Sequence, residues 1–522
     1  MNRPLATCLW ILALLAALTL GVANLFMGEL NQDEGWYLYA ARLVSEGQVP
    51  YRDFAFTQAP LLPLVYGLSQ PLLESGGVGA GRALTLAMTL LSAGLAAALA
   101  RRLVDRELAG WAALAAFILA AVNVYQSYFG TVVKTYALCG LMLTAGAWVL
   151  AVARDRRSVL LHALAGLLLA GAAGTRLSAG VALPLVGLYL MWQRERSGPA
   201  AWLAFGLGGS IGLLGLFFPL LVMAPEAFRY FVLDYHSARE AGSLAAQLVF
   251  KVGCLSRMVQ AYSVAVALGL ALVLARWVRG RSAERDLLVL TLWLSLAAMT
   301  LVHLSAPFPY DDYQAPLYPL FAALLAVALA RLLSAAPARM RAAVAVGLLL
   351  VCGASAFSSP VNQGWMVLGR DRIWWRLREQ PALLQLREVA REVRARSGAA
   401  GELLTQDLYL AVETGLRVPH GLEMGPFSYY PGLTREKAER LNVVNDELLE
   451  GIINRASIRV AALSGYSFVV AAPAVEKMTD AQQQRWWDLV EQNFAEVKIM
   501  PDFGQGATPL RIFERRLPGA AP

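Results

Sequence analysis

The sequence predicts a polytopic α-helical membrane protein with about eleven transmembrane helices in residues 1–359 and an extracytoplasmic soluble α/β domain in residues 360–522. Of the 522 residues, 57% are hydrophobic and only 16% are charged, and the mean hydropathy is +0.51. No soluble globular protein needs that much apolar surface, so most of the chain is expected to lie in a bilayer. Apolar runs of bilayer length recur until residue 358, and the chain then becomes polar.

The charge distribution separates the same two parts. Residues 360–522 contain 20 basic and 20 acidic side chains, so the formal net charge of +8 belongs to the first 359 residues, where 25 bases face 17 acids. This pattern argues against a nucleic-acid-binding tail and indicates charge used for membrane topology. The C-terminal part, with 163 residues, is long enough for one core of its own.

Eleven apolar segments are predicted to span the membrane. Met1–Ala23 has the features of a signal peptide, but we interpret it as an uncleaved first span because many spans follow. The next long apolar run begins near Arg82 and ends at Arg102. The remaining spans are predicted at about 108–124, 135–153, 159–174, 176–192, 201–223, 258–276, 287–304, 315–333 and 342–358.

The loops between these segments support the count. Together with the N-terminus, alternate loops contain 16 of the 25 bases and six acids, whereas the opposite loops contain nine bases and eleven acids. Such an alternation is what the positive-inside rule predicts for a chain whose N-terminus is cytoplasmic. Residues 360–522 are therefore expected outside the cytoplasm, in the periplasm of a cell that has an inner membrane.

The outer region shows alternating helix and strand patterns. Helices are predicted over 374–397 and 479–494 from the spacing of apolar residues. Short buried strands are predicted at Glu402–Thr405, Phe468–Ala471, Val497–Met500 and Leu510–Phe513. This alternation is typical of a small α/β domain.

Two adjacent carboxylates, Asp33 and Glu34, follow the first span, in a first outer loop of about residues 28–81. From Trp36 onward, apolar residues recur at helical spacing as far as Gly47, which is a plausible stop signal. One interpretation is structural, with Asp33 capping this helix and Glu34 favouring its positive end. The alternative is catalytic, with Asp33 acting as a base at the membrane surface.

Lys134 and Arg176 are isolated cations in very short loops on the side where bases are otherwise scarce. Each alone is compatible with a side chain that extends to the lipid interface. Together, opposite a carboxylate pair, they are interpreted as a clamp for a phosphate group. Arg52, in the first outer loop, is a third candidate for the same role.

His303 ends a predicted span and precedes a proline-bounded loop that contains Tyr310, Asp311 and Asp312. This loop could contact a sugar through its tyrosine ring and carboxylate oxygens, or bind a divalent ion; the alternative is a rigid hairpin with solvated acids. With four histidines in the chain and no CxxC pair among the four cysteines, neither a zinc site nor a disulfide framework is indicated.

The Asp-Glu pair that opens a surface helix, followed by a proline-apolar segment before the second span, resembles the GT-C glycosyltransferases. The arrangement is most similar to the bacterial membrane enzymes related to protein O-mannosyltransferases and the lipid A aminoarabinose transferase. The resemblance covers the whole layout, but its specific part is short, namely Asp33-Glu34 and Thr57-Gln58-Ala59-Pro60-Leu61. Relatives often have Lys-Pro-Pro in the second motif, so Gln58 departs from the pattern. The phosphate role therefore shifts toward Lys134 and Arg176, and Gln58 remains a candidate substrate contact.

The resemblance implies an inverting transferase that moves a sugar from a polyprenyl-phosphate donor to an acceptor hydroxyl outside the cytoplasm, with Asp33 as general base and Glu34 beside it. The expected partners are that donor, a lipid, glycan or protein acceptor, and membrane lipids, without nucleic acid and without a required cofactor or metal. The alternative is a lipid-linked saccharide flippase or transporter, which should show inverted repeats and charged or broken helices near mid-bilayer. A sensor domain on a membrane anchor would need only one or two spans.

Overall fold

The computed structural model describes residues 3–193, 198–237, 243–260, 266–267, 270, 287–333, 337–358, 380–398, 401–469 and 478–516. Within these ranges the chain is mostly helical, and six helices are long and apolar enough to cross a membrane: Pro4–Met27, Gln70–Arg102, Thr135–Arg156, Pro199–Met223, Leu287–Ser305 and Asp312–Arg331. This confirms the prediction of a polytopic helical membrane protein. Eleven spans remain a prediction, because five further apolar helices are shorter and most of 258–276 lies outside the described residues.

The helices of the first 358 residues are numbered along the chain, and α1 is the first of the candidate membrane spans. Their bounds are α1 Arg3–Met27, α2 Gln32–Ser45, α3 Leu61–Gly67, α4 Gln70–Arg102, α5 Ala109–Ala121, α6 Val124–Phe129, α7 Thr135–Arg156 and α8 Val159–Thr175. They continue with α9 Ala182–Trp192, α10 Pro199–Met223, α11 Pro225–Arg229, α12 Tyr235–Ser237, α13 Leu244–Gln260, α14 Leu287–Ser305, α15 Tyr318–Leu333 and α16 Arg341–Ser358. Two 3-10 helices, Leu177–Val181 and Asp311–Leu317, precede α9 and α15.

The second long helix differs from its prediction at its start. It begins at Gln70 rather than near Arg82, and it is interrupted at Gly77, whose φ of 56° is a left-handed value. The break has a packing reason, because the carboxylate of Glu413 accepts a hydrogen bond from the amide of Val78 at 2.9 Å. A Cβ atom at Gly77 would lie 2.1 Å from that carboxylate. The glycine therefore lets residues from the end of the chain approach this helix.

The C-terminal part contains a four-stranded sheet and five helices within the described residues. The strands are β1 Leu403–Leu404, β2 Val460–Leu463, β3 Phe494–Phe503 and β4 Thr508–Arg515, and the helices are α17 Ala382–Ser397, α18 Leu408–Thr414, α19 Arg435–Arg440, α20 Asp446–Asn454 and α21 Asp480–Asn493. The strand order is β1-β2-β4-β3. The pair β1–β2 is parallel, whereas β4 pairs antiparallel with both of its neighbours.

One strand prediction was wrong. Phe468 lies in a turn with a positive φ of 59°, and the buried strand is Val460–Leu463, five residues earlier. The turn is held by polar side chains, since Gln406 accepts the amide hydrogen of Phe468 at 2.6 Å and Ser467 accepts that of Ser464 at 3.0 Å. Val470 and Ala471 of that prediction lie outside the described residues. The predicted helix 374–397 is observed from Ala382 onward, and residues 374–379 also lie outside the described residues. The other predicted strands and the helix at 479–494 agree with the structure.

The C-terminal part packs directly on α2. At Gly35 the backbone of α2 comes so close to α18 that a Cβ atom would lie 2.4 Å from the amide nitrogen of Tyr409. At the far end of α2, Arg42 donates hydrogen bonds to the carbonyls of Gly415 and Leu416 at 3.0 and 3.1 Å. Most of α2 is consequently buried, although its sequence predicted a helix lying on the membrane surface.

Candidate active site

The first turn of α2 is set by a capping box. The side chain of Asn31 accepts the amide hydrogen of Asp33 at 3.0 Å, and the amide of Asn31 donates to Glu34 Oε1 at 2.9 Å. These reciprocal bonds satisfy backbone groups that a helix start leaves open. Asn31, not Asp33, is therefore the cap, and the carboxylate of Asp33 is left for other contacts.

Glu34 is fully buried in an ion pair with Arg82 of α4. The guanidinium donates from Nε to Glu34 Oε2 at 2.9 Å and from Nη2 to Oε1 at 2.6 Å, and both side chains have no exposed surface. The same guanidinium also donates to the carbonyls of Asn24, Leu25, Gly28 and Glu29 at the end of α1. Arg82 thus joins α1, α2 and α4 at one point, and this bonding encloses the Glu34 carboxylate.

Asp33 belongs to a cluster of opposite charges. Its Oδ2 lies 3.0 Å from Lys134 Nζ, which also lies 3.1 Å from Asp312 Oδ2. The indole of Trp36 donates to Asp33 Oδ1 at 3.3 Å. The side chain of Asp33 is 28% exposed, compared with 17% for Asp312 and 9% for Lys134. Asp33 is therefore the carboxylate of this cluster that a substrate can reach most readily.

Lys134 keeps its charge in spite of its burial. Removal from water pulls the pKa of Lys134 down, but the neighbouring oxygens of Tyr136, Asp33 and Asp312 raise it well above its ordinary value. The ammonium also faces the rings of Phe129 and Tyr136 at 5.7 and 5.4 Å, where the ring quadrupoles attract a cation. Lys134 is thus a fixed positive centre that is already shared by two carboxylates.

Arg176 lies in the same cluster, between α8 and the 3-10 helix Leu177–Val181. Its guanidinium stacks between the rings of Tyr136 and Tyr313, at 4.9 and 5.2 Å, and its Nη1 donates to Thr135 Oγ1 at 3.0 Å. In the part of the chain that the structure describes, no carboxylate forms an ion pair with Arg176, and its buried Nε has no hydrogen-bond partner. A half-buried cation with an unused donor is suited to an anionic ligand.

His303 lies behind this cation in a buried polar chain. Its Nε2 is 2.8 Å from Ser178 Oγ, and its Nδ1 is 3.0 Å from Gln314 Nε2. Gln314 in turn accepts from Thr300 Oγ1 at 3.2 Å. Because Ser178 lies two residues after Arg176, this chain anchors the backbone that carries the guanidinium. The structure therefore places His303 beside the cluster, where it supports Arg176.

Of the other predicted site residues, Arg52 and Gln58 make their described contacts elsewhere, whereas Tyr310 approaches the cluster through Tyr313, whose ring stacks on Arg176. Arg52 is 47% exposed and pairs with its neighbour Asp53 at 2.7 Å. The backbone carbonyl of Gln58 accepts from the hydroxyl of Tyr51 at 2.5 Å. Tyr310 is 59% exposed and its ring contacts that of Tyr313. Asp311 starts a 3-10 helix, but its side chain lies outside the described parts.

The sequence did not predict two buried polar contacts, that of Arg82 with Glu34 and that of Gln32 with Asp407. Arg82 is predicted only as the start of an apolar run, although a lone arginine at the end of a span, near an Asp-Glu pair, is a signal for a buried partner. Gln32 and Asp407 are 375 positions apart and hydrogen-bond at 2.6 Å, and no local pattern predicts such a contact. Across the described ranges, no group of three histidine, cysteine or acidic side chains is arranged to hold a metal ion.

The comparisons with known proteins show the fold. No family model matches this chain, and no curated protein matches its sequence at a significant level. Among solved structures, ArnT from Cupriavidus metallidurans bound to undecaprenyl phosphate aligns with a TM-score of 0.60, 13% identity and 100% coverage of both chains. The same protein in the apo state aligns with a TM-score of 0.63, 15% identity and 99% coverage of both chains. The Archaeoglobus fulgidus oligosaccharyltransferase tethered with an acceptor peptide aligns with a TM-score of 0.51 and 11% identity over 97% of this chain and 74% of that one. The chain therefore has the GT-C fold that its resemblance to these enzymes predicted.

The buried ion pair generates a prediction about stability. Arg82→Met leaves the Glu34 carboxylate buried without a cation and removes donors from the end of α1, so it should lower the free energy of unfolding by about 3–5 kcal/mol. Glu34→Gln keeps an acceptor at that position and should cost less. Thermal or denaturant unfolding of the purified protein in detergent measures both effects.

The matched control is Arg52→Met, which breaks an exposed pair whose contribution should be at most about 1 kcal/mol. The double variant Glu34→Gln/Arg82→Met should recover part of the loss of Arg82→Met, because no carboxylate is then left uncompensated. Equal stability of the Arg82→Met and Arg52→Met variants would contradict the conclusion that the buried Glu34–Arg82 pair stabilises the fold.

Proposed function

We propose that this protein is a membrane glycosyltransferase that moves a sugar from a polyprenyl-phosphate donor to an acceptor hydroxyl on the outer side of the membrane. The observation that carries the proposal is the Asp33 cluster, namely Asp33, Lys134, Asp312 and Arg176. It combines an accessible carboxylate with an arginine that forms no ion pair with a carboxylate of the described residues. Transfer from a lipid phosphate requires both, namely a proton acceptor and a cation for the departing phosphate.

Asp33 acts as the general base in this proposal. The acceptor oxygen bonds to the anomeric carbon as the bond from that carbon to the phosphate oxygen breaks, and the hydroxyl proton passes to the Asp33 carboxylate. Attack from the face opposite the leaving phosphate inverts the anomeric centre. The contacts from Trp36 and Lys134, at 3.3 and 3.0 Å, orient the carboxylate, and no step requires a metal.

Arg176 is the principal contact for the donor phosphate. Lys134 already shares its charge between Asp33 and Asp312, whereas Arg176 meets only aromatic faces and one hydroxyl among the described groups. A planar guanidinium can donate two parallel hydrogen bonds to a phosphate. Lys134 adds positive potential next to the leaving oxygen, where negative charge develops. The apolar walls of the surrounding spans would hold the lipid chain.

Glu34 and Asp312 serve as positioning residues. Glu34 is enclosed by Arg82 and has no exposed surface, so it cannot reach a substrate without breaking that pair. Asp312 accepts hydrogen bonds from Lys134 and from the hydroxyl of Tyr136, at 3.1 and 2.7 Å, and thereby keeps the ammonium next to Asp33. The catalytic assignment is therefore narrowed to Asp33 alone.

Two further observations favour transfer over transport. The solved ArnT structure of the same fold contains undecaprenyl phosphate, which is the kind of lipid phosphate that leaves when a sugar is transferred from the donor class proposed here. The charged groups of the Asp33 cluster also lie at one end of the spans, since they flank the end of α8, the start of α7 and the 3-10 helix before α15. A transporter would place such groups near the middle of the bilayer.

The first test concerns the base. Asp33→Asn removes the proton acceptor but leaves the Asn31 cap and the size of the side chain unchanged. Turnover should fall on the order of a hundredfold or more, with near-normal thermal unfolding. Transfer is measured with purified enzyme in lipid nanodiscs and lipid-linked sugars extracted from the producing cell. Asp53→Asn, in the same outer loop, is the matched control and should retain activity. Wild-type turnover in Asp33→Asn would contradict the role of Asp33.

The second test concerns the phosphate. Arg176→Gln should weaken donor binding by about 1.5–3 kcal/mol, because a charge-assisted contact to phosphate is lost. Arg176→Lys should restore only part of the affinity, since an ammonium cannot make the planar two-pronged contact. Arg52→Gln is the comparison, because Arg52 was predicted for the same role but lies in an exposed pair. Binding of a polyprenyl-phosphate sugar analogue decides between them, and a larger loss in Arg52→Gln than in Arg176→Gln would reverse the assignment.

The third test concerns the orientation of the protein in the membrane. The proposal places the protein in the plasma membrane, with its N-terminus in the cytoplasm and residues 360–522 outside the cytoplasm. Cys8 is exposed and the other three cysteines are buried, so a Cys8→Ser background is suitable for labelling. Ala481→Cys, on the exposed side of α21, should react with a membrane-impermeant thiol reagent in intact spheroplasts. Glu107→Cys, at a site 80% exposed between α4 and α5, should react only after lysis. Labelling of Glu107→Cys in intact spheroplasts would overturn the orientation.

A further inference from the structure

The C-terminal part contacts the beginning of α2 through polar groups. The amide of Gln32 donates to Gln505 Oε1 at 2.8 Å, and its side-chain amide donates to Asp407 Oδ1 at 2.6 Å and to the hydroxyl of Tyr409 at 3.3 Å. Just before α2, Glu29 Oε1 accepts the amide hydrogen of Gly506 at 2.6 Å. These contacts surround the residue that immediately precedes Asp33.

Asp407 is the centre of this contact. The residue is completely buried, and its Oδ1 accepts hydrogen bonds from Gln32, from the Tyr409 hydroxyl at 2.7 Å and from the Ser464 hydroxyl at 3.0 Å. Burial raises the pKa of the Asp407 carboxyl above its ordinary value, although the donated hydrogen bonds oppose the rise. Its Oδ2 has no hydrogen-bond partner in the described ranges. Of the two oxygens of this buried carboxylate, Oδ1 orients Gln32, whereas Oδ2 forms no hydrogen bond in the described ranges.

The backbone geometry makes this contact rigid. Gly35 allows α2 to approach α18 so closely that no side chain fits between them, and Gly504, with a φ of 64°, leaves room for the Tyr409 hydroxyl. On the same turn of α2, the ring of Trp36, which donates to Asp33, lies 6.3 Å from the ring of Phe427 of the C-terminal part. The first turn of α2 is consequently held from the side of the outer domain at Gln32, Gly35 and Trp36.

We infer that Asp407 is a positioning residue for transfer, which acts through Gln32 to fix the direction of the Asp33 carboxylate. This inference rests on the proposed function and assigns to the outer domain a part in catalysis. A general base must stay within hydrogen-bonding reach of the acceptor proton, and a displacement of about 1 Å can reduce the rate on the order of a hundredfold. The turn that carries Asp33 is held by Arg82 from the membrane side and by Asp407 from the outer side.

The test compares turnover with local protection. Asp407→Ala and Gln32→Ala should each lower kcat by about tenfold to a hundredfold, with little change in donor affinity. The double variant should lose no more than the more impaired single variant, because both remove the same contact. Asp407→Asn should retain turnover within about threefold, because an amide oxygen at the Oδ1 position still accepts the hydrogen bond from Gln32. In hydrogen exchange followed by mass spectrometry, amides 31–36 should exchange faster in Asp407→Ala than in the wild type.

The matched control is Arg42→Gln, which removes contacts to the same outer domain at the other end of α2. It should speed exchange around residues 42–48 and leave turnover near the wild-type value. Faster exchange at 31–36 without loss of kcat would overturn the positioning role of Asp407. An equal loss in Arg42→Gln would also overturn it, in favour of general docking. If Asp33→Asn is fully active while exchange at 31–36 responds as expected, the contact stands and the proposed function fails.

Discussion

The structure of the candidate site depends on one buried ion pair. Arg82 binds Glu34 with two hydrogen bonds and donates to four carbonyls at the end of α1. Each of these groups would be costly to bury alone at the edge of a membrane, because water is scarce and the end of a helix leaves its carbonyls unsatisfied. The shared guanidinium satisfies them together. It thereby sets the angle at which the chain leaves the first span and enters α2, and this angle places Asp33 next to Lys134.

This constraint separates the roles of two adjacent carboxylates. Successive residues on a helix point in directions about 100° apart, so that Glu34 faces Arg82 inside the fold while Asp33 faces Lys134 and stays partly exposed. The C-terminal part completes the arrangement from the other side, through Gln32 and Gly35. Asp33 is thus a partly exposed carboxylate on a rigid turn. The cations near it come from other helix ends, and Arg176, unlike Lys134, forms no ion pair with a carboxylate of the described residues.

The fold class was predictable because composition, span length and loop charge are local properties of the sequence. The pairs that Lys134 forms with Asp33 and Asp312 were not predicted as such, since no spacing rule relates residues so far apart. The sequence indicated only that Lys134 and Arg176 lie opposite the Asp33-Glu34 pair. The strand prediction was placed at Phe468 instead of Val460–Leu463 because Phe468 and Val469 are as apolar as strand residues. The turn at Phe468 depends on hydrogen bonds to the side chains of Gln406 and Ser467, and an apolar pattern does not contain such bonds. Arg52 was predicted as a phosphate ligand from its charge alone, and its pairing with Asp53 depends on local geometry that a charge pattern does not contain.

The central claim is that the Asp33 cluster is the place where a lipid-linked sugar reacts. The most direct measurement is an electron cryomicroscopy structure of the full chain in lipid nanodiscs with a bound polyprenyl phosphate. The account predicts phosphate density within hydrogen-bonding distance of the Arg176 guanidinium, about 2.7–3.2 Å, and on the side of the cluster that Asp33 faces, with Glu34 still paired to Arg82. Phosphate density beside Arg52, or between the spans far from Asp33, would contradict it.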